Sequence, residues 1–169
     1  MVAVPVATHV AYDNLVAWIG TTAWAPLHAL QPAWYRRAVS AVMLLVGEDV
    51  PEYVTAALDP ASARLLAFTR ERVVVAECAP AERETSVRAA VWARGALVSL
   101  EATSTEPFRT EGWPGRVRVV ATYADGTRWL LPLDDGADAV ASDQVVAFLP
   151  SLLADLGRAV RAGDRTPVG

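Results

Sequence analysis

The sequence predicts an α+β fold: a helical N-terminal third, then a bent antiparallel β-sheet or partly open barrel of six to seven strands, capped by a C-terminal helix. Three observations carry that expectation. Apolar residues of the first third recur at helical spacing, with Trp34, Ala38, Val42 and Leu45 on one stripe. From about residue 62 the chain changes to short β-prone runs separated by turn residues, with no helix between them, which excludes a parallel α/β sheet. The last periodic stretch, about Ser142 to Ala162, returns to helical spacing.

In chain order, Tyr12, Leu15, Val16, Trp18 and Ile19 predict a first helix that stops at Gly20. Thr21 to Leu30, with Pro26 inside, reads as irregular. Pro32 suits the first turn of a helix running to about Val46, because the N–H it lacks has no partner there. Its apolar stripe is widened by Tyr35, Val39 and Val46, while Arg36, Arg37 and Ser40 mark the wet side. Gly47 closes it, and Pro51 opens a short helix to Leu58 that Asp59-Pro60 ends.

The strand region begins with Arg64–Phe68 and Arg72–Glu77, joined by Thr69-Arg70-Glu71 in a tight hairpin. A polar loop at Ala79–Glu84 precedes Val87–Ala93 and Leu97–Ala102. Residues 103–115 form a long loop. Val117–Tyr123 and Arg128–Leu133 flank Asp125-Gly126, which predicts a type I′ hairpin with both central residues at positive φ. Pro132 cannot donate to a ladder, so that strand ends there or lies at an edge. In the closing helix Val145, Leu149, Leu152, Leu156 and Val160 define the buried face, Pro150 predicts a kink or a restart, and Arg158 and Arg161 suit the last turns. The organisation expected is a helical extension over 1–60, a β-domain with its capping helix over 61–162, and a flexible tail over 163–169.

At 169 residues, 53% hydrophobic and 20% charged, the chain suits a single packed unit that needs no disulfide or metal staple. A net charge of −4 speaks against nucleic acid as a partner. Cys78 is the single cysteine, so no intramolecular disulfide forms, and it reads as a small buried hydrophobe. The N-terminal residues lack the basic and apolar regions of a signal peptide, and the longest apolar run, Ala41–Val46, falls far short of the ~20 residues of a membrane span. Cytoplasmic location is therefore expected. All 15 basic residues are Arg, a bias that points to a GC-rich bacterial genome.

The β half resembles the bacterial pleckstrin-homology-like domains over roughly residues 62–160. The resemblance rests on Leu65–Val75 as a first hairpin, on the Tyr123–Thr127 hairpin, and on the closing helix with Phe148 and Leu152 to Leu156. It implies a seven-stranded, strongly bent antiparallel sheet with a helix plugging one end, in a family used for interaction. Six strands are identified in the sequence; the seventh has to come from residues 103–115 or the run at Val87. The competing fold is the α+β roll of the nuclear-transport-factor-2-like group, which ends on strands instead of a helix.

No residue pattern announces chemistry. His9 and His28 are the only histidines, and neither has metal-ligand spacing. No nucleophile elbow, Walker loop or dinucleotide fingerprint occurs. Asp134-Asp135-Gly136-Ala137-Asp138 crowds carboxylates but lacks the spacing of a calcium loop, and reads as a turn and helix N-cap. No catalytic residue, metal or cofactor is assigned.

Six tryptophans are many for this length. Trp18, Trp24 and Trp34, with Tyr35 and Val42, are candidate interface residues, because Trp anchors interfaces; packing of the helices onto the β-domain is the other reading. The expected partner is a second copy, a dimer first, or another protein. Arg70, Arg72 and His28 are weak candidate ligand contacts. Specific lipid-head-group binding and strong membrane binding are not expected: attraction scales at about 1 kcal/mol per basic residue, and the turn offers two arginines around Glu71. The function read from the sequence is thus a non-catalytic binding or assembly module. The alternative is a small-molecule binder or enzyme of the α+β roll type with an apolar pocket.

Overall fold

A computed structural model of the chain describes the backbone of residues 6–80, 86–107, 110–134 and 139–163, and side chains between 7 and 158 within those segments. The described residues form four α-helices and seven antiparallel strands in two sheets that do not close into a barrel. The last described element is a helix, as expected. It divides into two compact units, one of residues 1–92 with 133–135 and one of 93–132 with 136–169. The predicted tail from residue 164 lies outside the described residues, as do 135–138 of the acidic cluster and most of the Ala79–Glu84 loop.

In the first unit, α1 (Val6–Ile19), α2 (Ala25–Leu30) and α3 (Ala33–Val46) precede β1 (Tyr53–Leu58), β2 (Ala63–Phe68), β3 (Arg72–Cys78) and β4 (Val87–Ala93). The sheet order is β1-β2-β3-β4. Helix α3 obeys its sequence pattern: Tyr35, Ala38, Val39, Val42 and Val46 are buried at i, i+3, i+4, i+7 and i+11, against β3, and the helix stops at Gly47. Helix α1 packs on β1 through Leu15 and Ile19. Each apolar side chain of this size contributes about 1.5–3 kcal/mol when fully buried, so the helices and sheet depend on one core.

Two readings of this half are corrected. Thr21–Leu30 is not wholly irregular: α2 occupies Ala25–Leu30, with Pro26 in its first turn, where the missing N–H costs nothing. More consequentially, Pro51–Leu58 is no helix. Tyr53–Leu58 is β1 and supplies the seventh strand, which comes from neither 103–115 nor Val87. A short apolar run after proline is ambiguous in period. Pairing decides it: β1 lies antiparallel to β2 from Tyr53↔Phe68 to Leu58↔Ala63. The Tyr53 ring also packs between Trp18 and Phe68, at centroid distances of 6.0 and 5.9 Å. Leu65–Val75 is consequently the second hairpin, with its tight turn at Thr69–Glu71 as predicted; the Thr69 N–H donates to the Arg72 carbonyl over 2.9 Å.

In the second unit, a single turn of 3-10 helix at Arg94–Ala96 leads into β5 (Leu97–Ser104), followed by β6 (Val117–Tyr123), β7 (Arg128–Leu131) and α4 (Ala139–Gly163). The sheet order is β5-β6-β7, and β7 stops one residue before Pro132. The β6–β7 hairpin is real but not type I′. Gly126 alone has positive φ, at 85°, and the Gly126 N–H donates to Tyr123 O at 2.9 Å while Tyr123 N–H donates to Thr127 O at 2.8 Å. This is a type I turn closed by a glycine bulge, whose longer loop needs only one left-handed residue.

Helix α4 packs on β5 and β6. It runs continuously through Pro150, with no restart; Pro150 is exposed, on the side where solvent reaches the carbonyl it leaves without a donor. Its buried face is Ser142, Val145, Phe148, Leu152 and Asp155, with Leu149 and Leu156 only half-buried. The face is therefore turned from the predicted stripe toward 148 and 155, and the Val160 and Arg161 side chains lie outside the described residues.

Candidate functional site

The predicted interface residues sit in or against the core of the first unit. Trp24, Tyr35 and Val42 are buried there, and Trp18 and Trp34 pack partly exposed against them. The Trp24 indole donates from Nε1 to the Ala57 carbonyl at 3.0 Å, which ties α2 to β1, and its ring meets Trp34 edge-on at 5.4 Å. His28 Nδ1 lies 3.0 Å from the Tyr35 hydroxyl. Burial, followed by the nearby Tyr12, raises the Tyr35 phenol above its ordinary range. The aromatic cluster thus packs within the first unit.

What the helices leave exposed is a groove between α1 and α3. Thr8, His9, Tyr12, Val39, Ser40, Met43 and Leu44 line this mostly apolar concavity of about 520 Å³. Leu44 is 85% exposed and Tyr12 40%. Sequence reasoning used Tyr12 only as one of the residues whose spacing predicts the helix and did not single out Leu44; the clue was that the apolar residues of α1 spread round the helix, wider than one contact face requires.

The candidate ligand contacts do not converge. Arg70 is exposed at the β2–β3 turn. Arg72 donates to the Leu45 carbonyl at 3.0 Å and lies 3.9 Å from Asp49, which commits it to holding the end of α3. His28 is with the tryptophans.

A second concavity of about 500 Å³ is lined by Ala61, Ser62, Arg64, Glu77, Cys78, Ala79, Ser86 and Arg88. Its charges partly offset one another, Arg64 standing 3.8 Å from Glu77. At its edge Asp59 accepts from the backbone N–H of Ala61 and Ser62 and from the Ser62 hydroxyl, bonds that hold its carboxyl below the usual range. Cys78 is buried, its thiol pushed up to about 11 by desolvation, so it is protonated and poorly nucleophilic at neutral pH.

In the second unit Arg94, Ser142 and Asp155 are the buried polar residues among the described residues. Arg94 is 1% exposed and pairs with Asp155 of α4, while its guanidinium donates to Ser151 Oγ at 2.7 Å and lies 5.3 Å from the Phe148 ring centre. Arg158 closes the other side of the Asp155 carboxylate. The Tyr123 hydroxyl is buried without a hydrogen-bond partner among the described residues. Its phenol is raised chiefly by desolvation, with Arg94 opposing and Asp155 adding. The Asp155 carboxylate is thus shared between two guanidinium groups. No group of three His, Cys, Asp or Glu side chains converges among the described residues.

Along Ala139–Arg158 the closing helix has the length and composition of a membrane span, at a mean hydropathy of 1.3. Its packing on β5 and β6 and its buried ion pair describe a docked helix. No family model, curated protein or solved structure matches this chain.

Proposed function

We propose that this protein is a non-catalytic assembly module on a pleckstrin-homology-like scaffold, acting in the cytoplasm, and that it associates with a second copy of itself through the α1/α3 groove. The order of elements supports the scaffold reading: four antiparallel strands, three antiparallel strands, then a closing helix. The observation that carries self-association is the groove. Leu44, 85% exposed on a helix whose other face is fully buried, stands beside Met43, Val39 and Tyr12 with few polar neighbours. Contiguous apolar surface of this kind marks interaction sites on soluble proteins, and symmetric pairing of identical chains is the commonest way to cover it.

Sedimentation at tens of micromolar tests the reading. The wild type is expected to run heavier than a monomer, and Leu44→Glu, which places a charge in the groove without touching the core, to reduce the assembled mass or fraction. A monomeric wild type, or a Leu44→Glu variant that sediments like the wild type, overturns it.

A further inference from the structure

Strand β4 is unlike the other strands of its sheet. From Arg88 to Val91 every residue is exposed, Val91 at 46%, so the middle of the strand is bare on both faces, while Val87 packs on the core and Trp92 is half-buried. It is also the end strand of the sheet, and an end strand presents a row of backbone donors and acceptors to solvent. The other sheet ends are guarded. The Leu133 N–H donates to Thr55 Oγ1 of β1 at 3.0 Å, β5 carries Glu101 paired with Arg128 at 3.4 Å, and β7 is four residues long. Strand β4 is seven residues long and holds one charge, Arg88.

We infer that β4 pairs antiparallel with β4 of a second copy, about a two-fold axis midway between the two copies of Ala90. The register follows from symmetry. A two-fold perpendicular to a sheet must pass midway between a residue and its own copy directly opposite, since adjacent residues point to opposite faces. Ala90 is the midpoint of Val87–Ala93, so centring there gives full overlap. Arg88 then stands opposite Trp92 on one face, a cation over an indole, and Ala89 stands opposite Val91 on the other. The only charge avoids its own copy, and the small side chains between leave room for close approach. Centring on Ala89 or Val91 shortens the overlap and loses the Arg–Trp pair. The strand is self-complementary in this one register, which argues for a second copy over a foreign peptide.

This contact extends the reading of a self-associating module but uses a different face from the groove. Two symmetric contacts on one chain build assemblies larger than a dimer. Since one strand pair alone buries less than the roughly 1,000 Å² of a stable interface, cross-linking is the suitable probe. At the symmetry centre the two Ala90 Cα atoms come within about 4.5–5.5 Å, inside disulfide range. The two Ala89 Cα atoms, offset by two residues, stay roughly 8 Å apart, outside it. Under mild oxidation A90C is expected to form a disulfide-linked dimer, A89C and the wild type with its buried Cys78 are not, and A90C is expected to cross-link equally with Leu44→Glu added. Absence of the A90C dimer, equal cross-linking of A89C, or loss of the cross-link in the Leu44→Glu background overturns the β4 contact. A monomeric wild type with the A90C cross-link intact counts against the groove alone.

Discussion

Arg94 and Asp155 form an ion pair withdrawn from water: Nη2 lies 2.6 Å and Nε 2.7 Å from the same carboxylate oxygen, Oδ2, and the two side chains are 2% and 1% exposed. The pair joins the turn before β5 to α4, and Arg158 supplies a second cation to Oδ1. Two charges taken out of water are repaid only where the geometry is close and the other lone pairs are served, and here they are.

Breaking this pair is expected to cost far more than removing it. Asp155→Ala leaves Arg94 buried and uncompensated, a loss of about 3–5 kcal/mol, whereas Arg94→Met combined with Asp155→Leu should recover most of it. Urea unfolding of the single and double variants, read as a cycle, measures the coupling. Additive losses would show that the two charges do not depend on each other.

Neighbouring leucines of α4 should differ sharply. Leu152 is fully buried and Leu153 is 53% exposed. Leu152→Ala should cost about 2–5 kcal/mol, while Leu153→Ala should stay within about 0.5 kcal/mol. Leu156, half-buried, should fall between them. Equal midpoints for all three in thermal or denaturant unfolding would mean that α4 is not docked by this face.

Trp24→Phe keeps most of the ring but removes the indole N–H that reaches Ala57. A loss of about 1–3 kcal/mol is expected, from the bond and the carbonyl left without its donor. Trp24→Ala, which also empties the site, should cost about 3–5 kcal/mol. Calorimetric unfolding compares the two; similar values would show that the hydrogen bond, not the ring, dominates.

Alkaline pH should loosen the protein. Burial raises the Cys78 thiol from its ordinary 9.0 to about 11 and raises the Tyr53 and Tyr123 phenols as well. A raised acid is favoured in its neutral form by the fold. Its contribution is thus complete below pH 9 and is lost as pH climbs from there through about 11. Labelling of native Cys78 by iodoacetamide should accordingly be slow at pH 8 and accelerate above pH 10. Rapid labelling at neutral pH would show the thiol accessible and its ionisation undisturbed.

Much of the fold was legible in local pattern. The stripe of α3, the stop at Gly47, the β2–β3 turn and the closing helix follow from periodicity, a terminating glycine and turn chemistry, which act within a few residues of sequence. Helix α1 was legible as a helix but not in its orientation, because a helix apolar nearly all round does not say which side is covered. Tyr12, one of the residues that mark the helix, lies at the groove. The aromatic cluster was visible as composition; whether it packs in its own chain depended on what stands near it in space.

Contacts between distant segments decided the remainder. Tyr53–Leu58 has the composition of a short helix or a strand, and becomes β1 because β2 offers it a ladder and Trp18 and Phe68 enclose its tyrosine. The buried face of α4 turns toward Phe148 and Asp155 because Arg94, 61 residues earlier, has to be neutralised there. The sequence by itself determined the class of fold, the order of most elements and the want of any recognisable catalytic pattern, since these depend on spacing along the chain. Tertiary structure alone decided the seventh strand, the partner of the buried charge and the two surfaces left open at the α1/α3 groove and β4, since burial depends on neighbours that spacing does not specify.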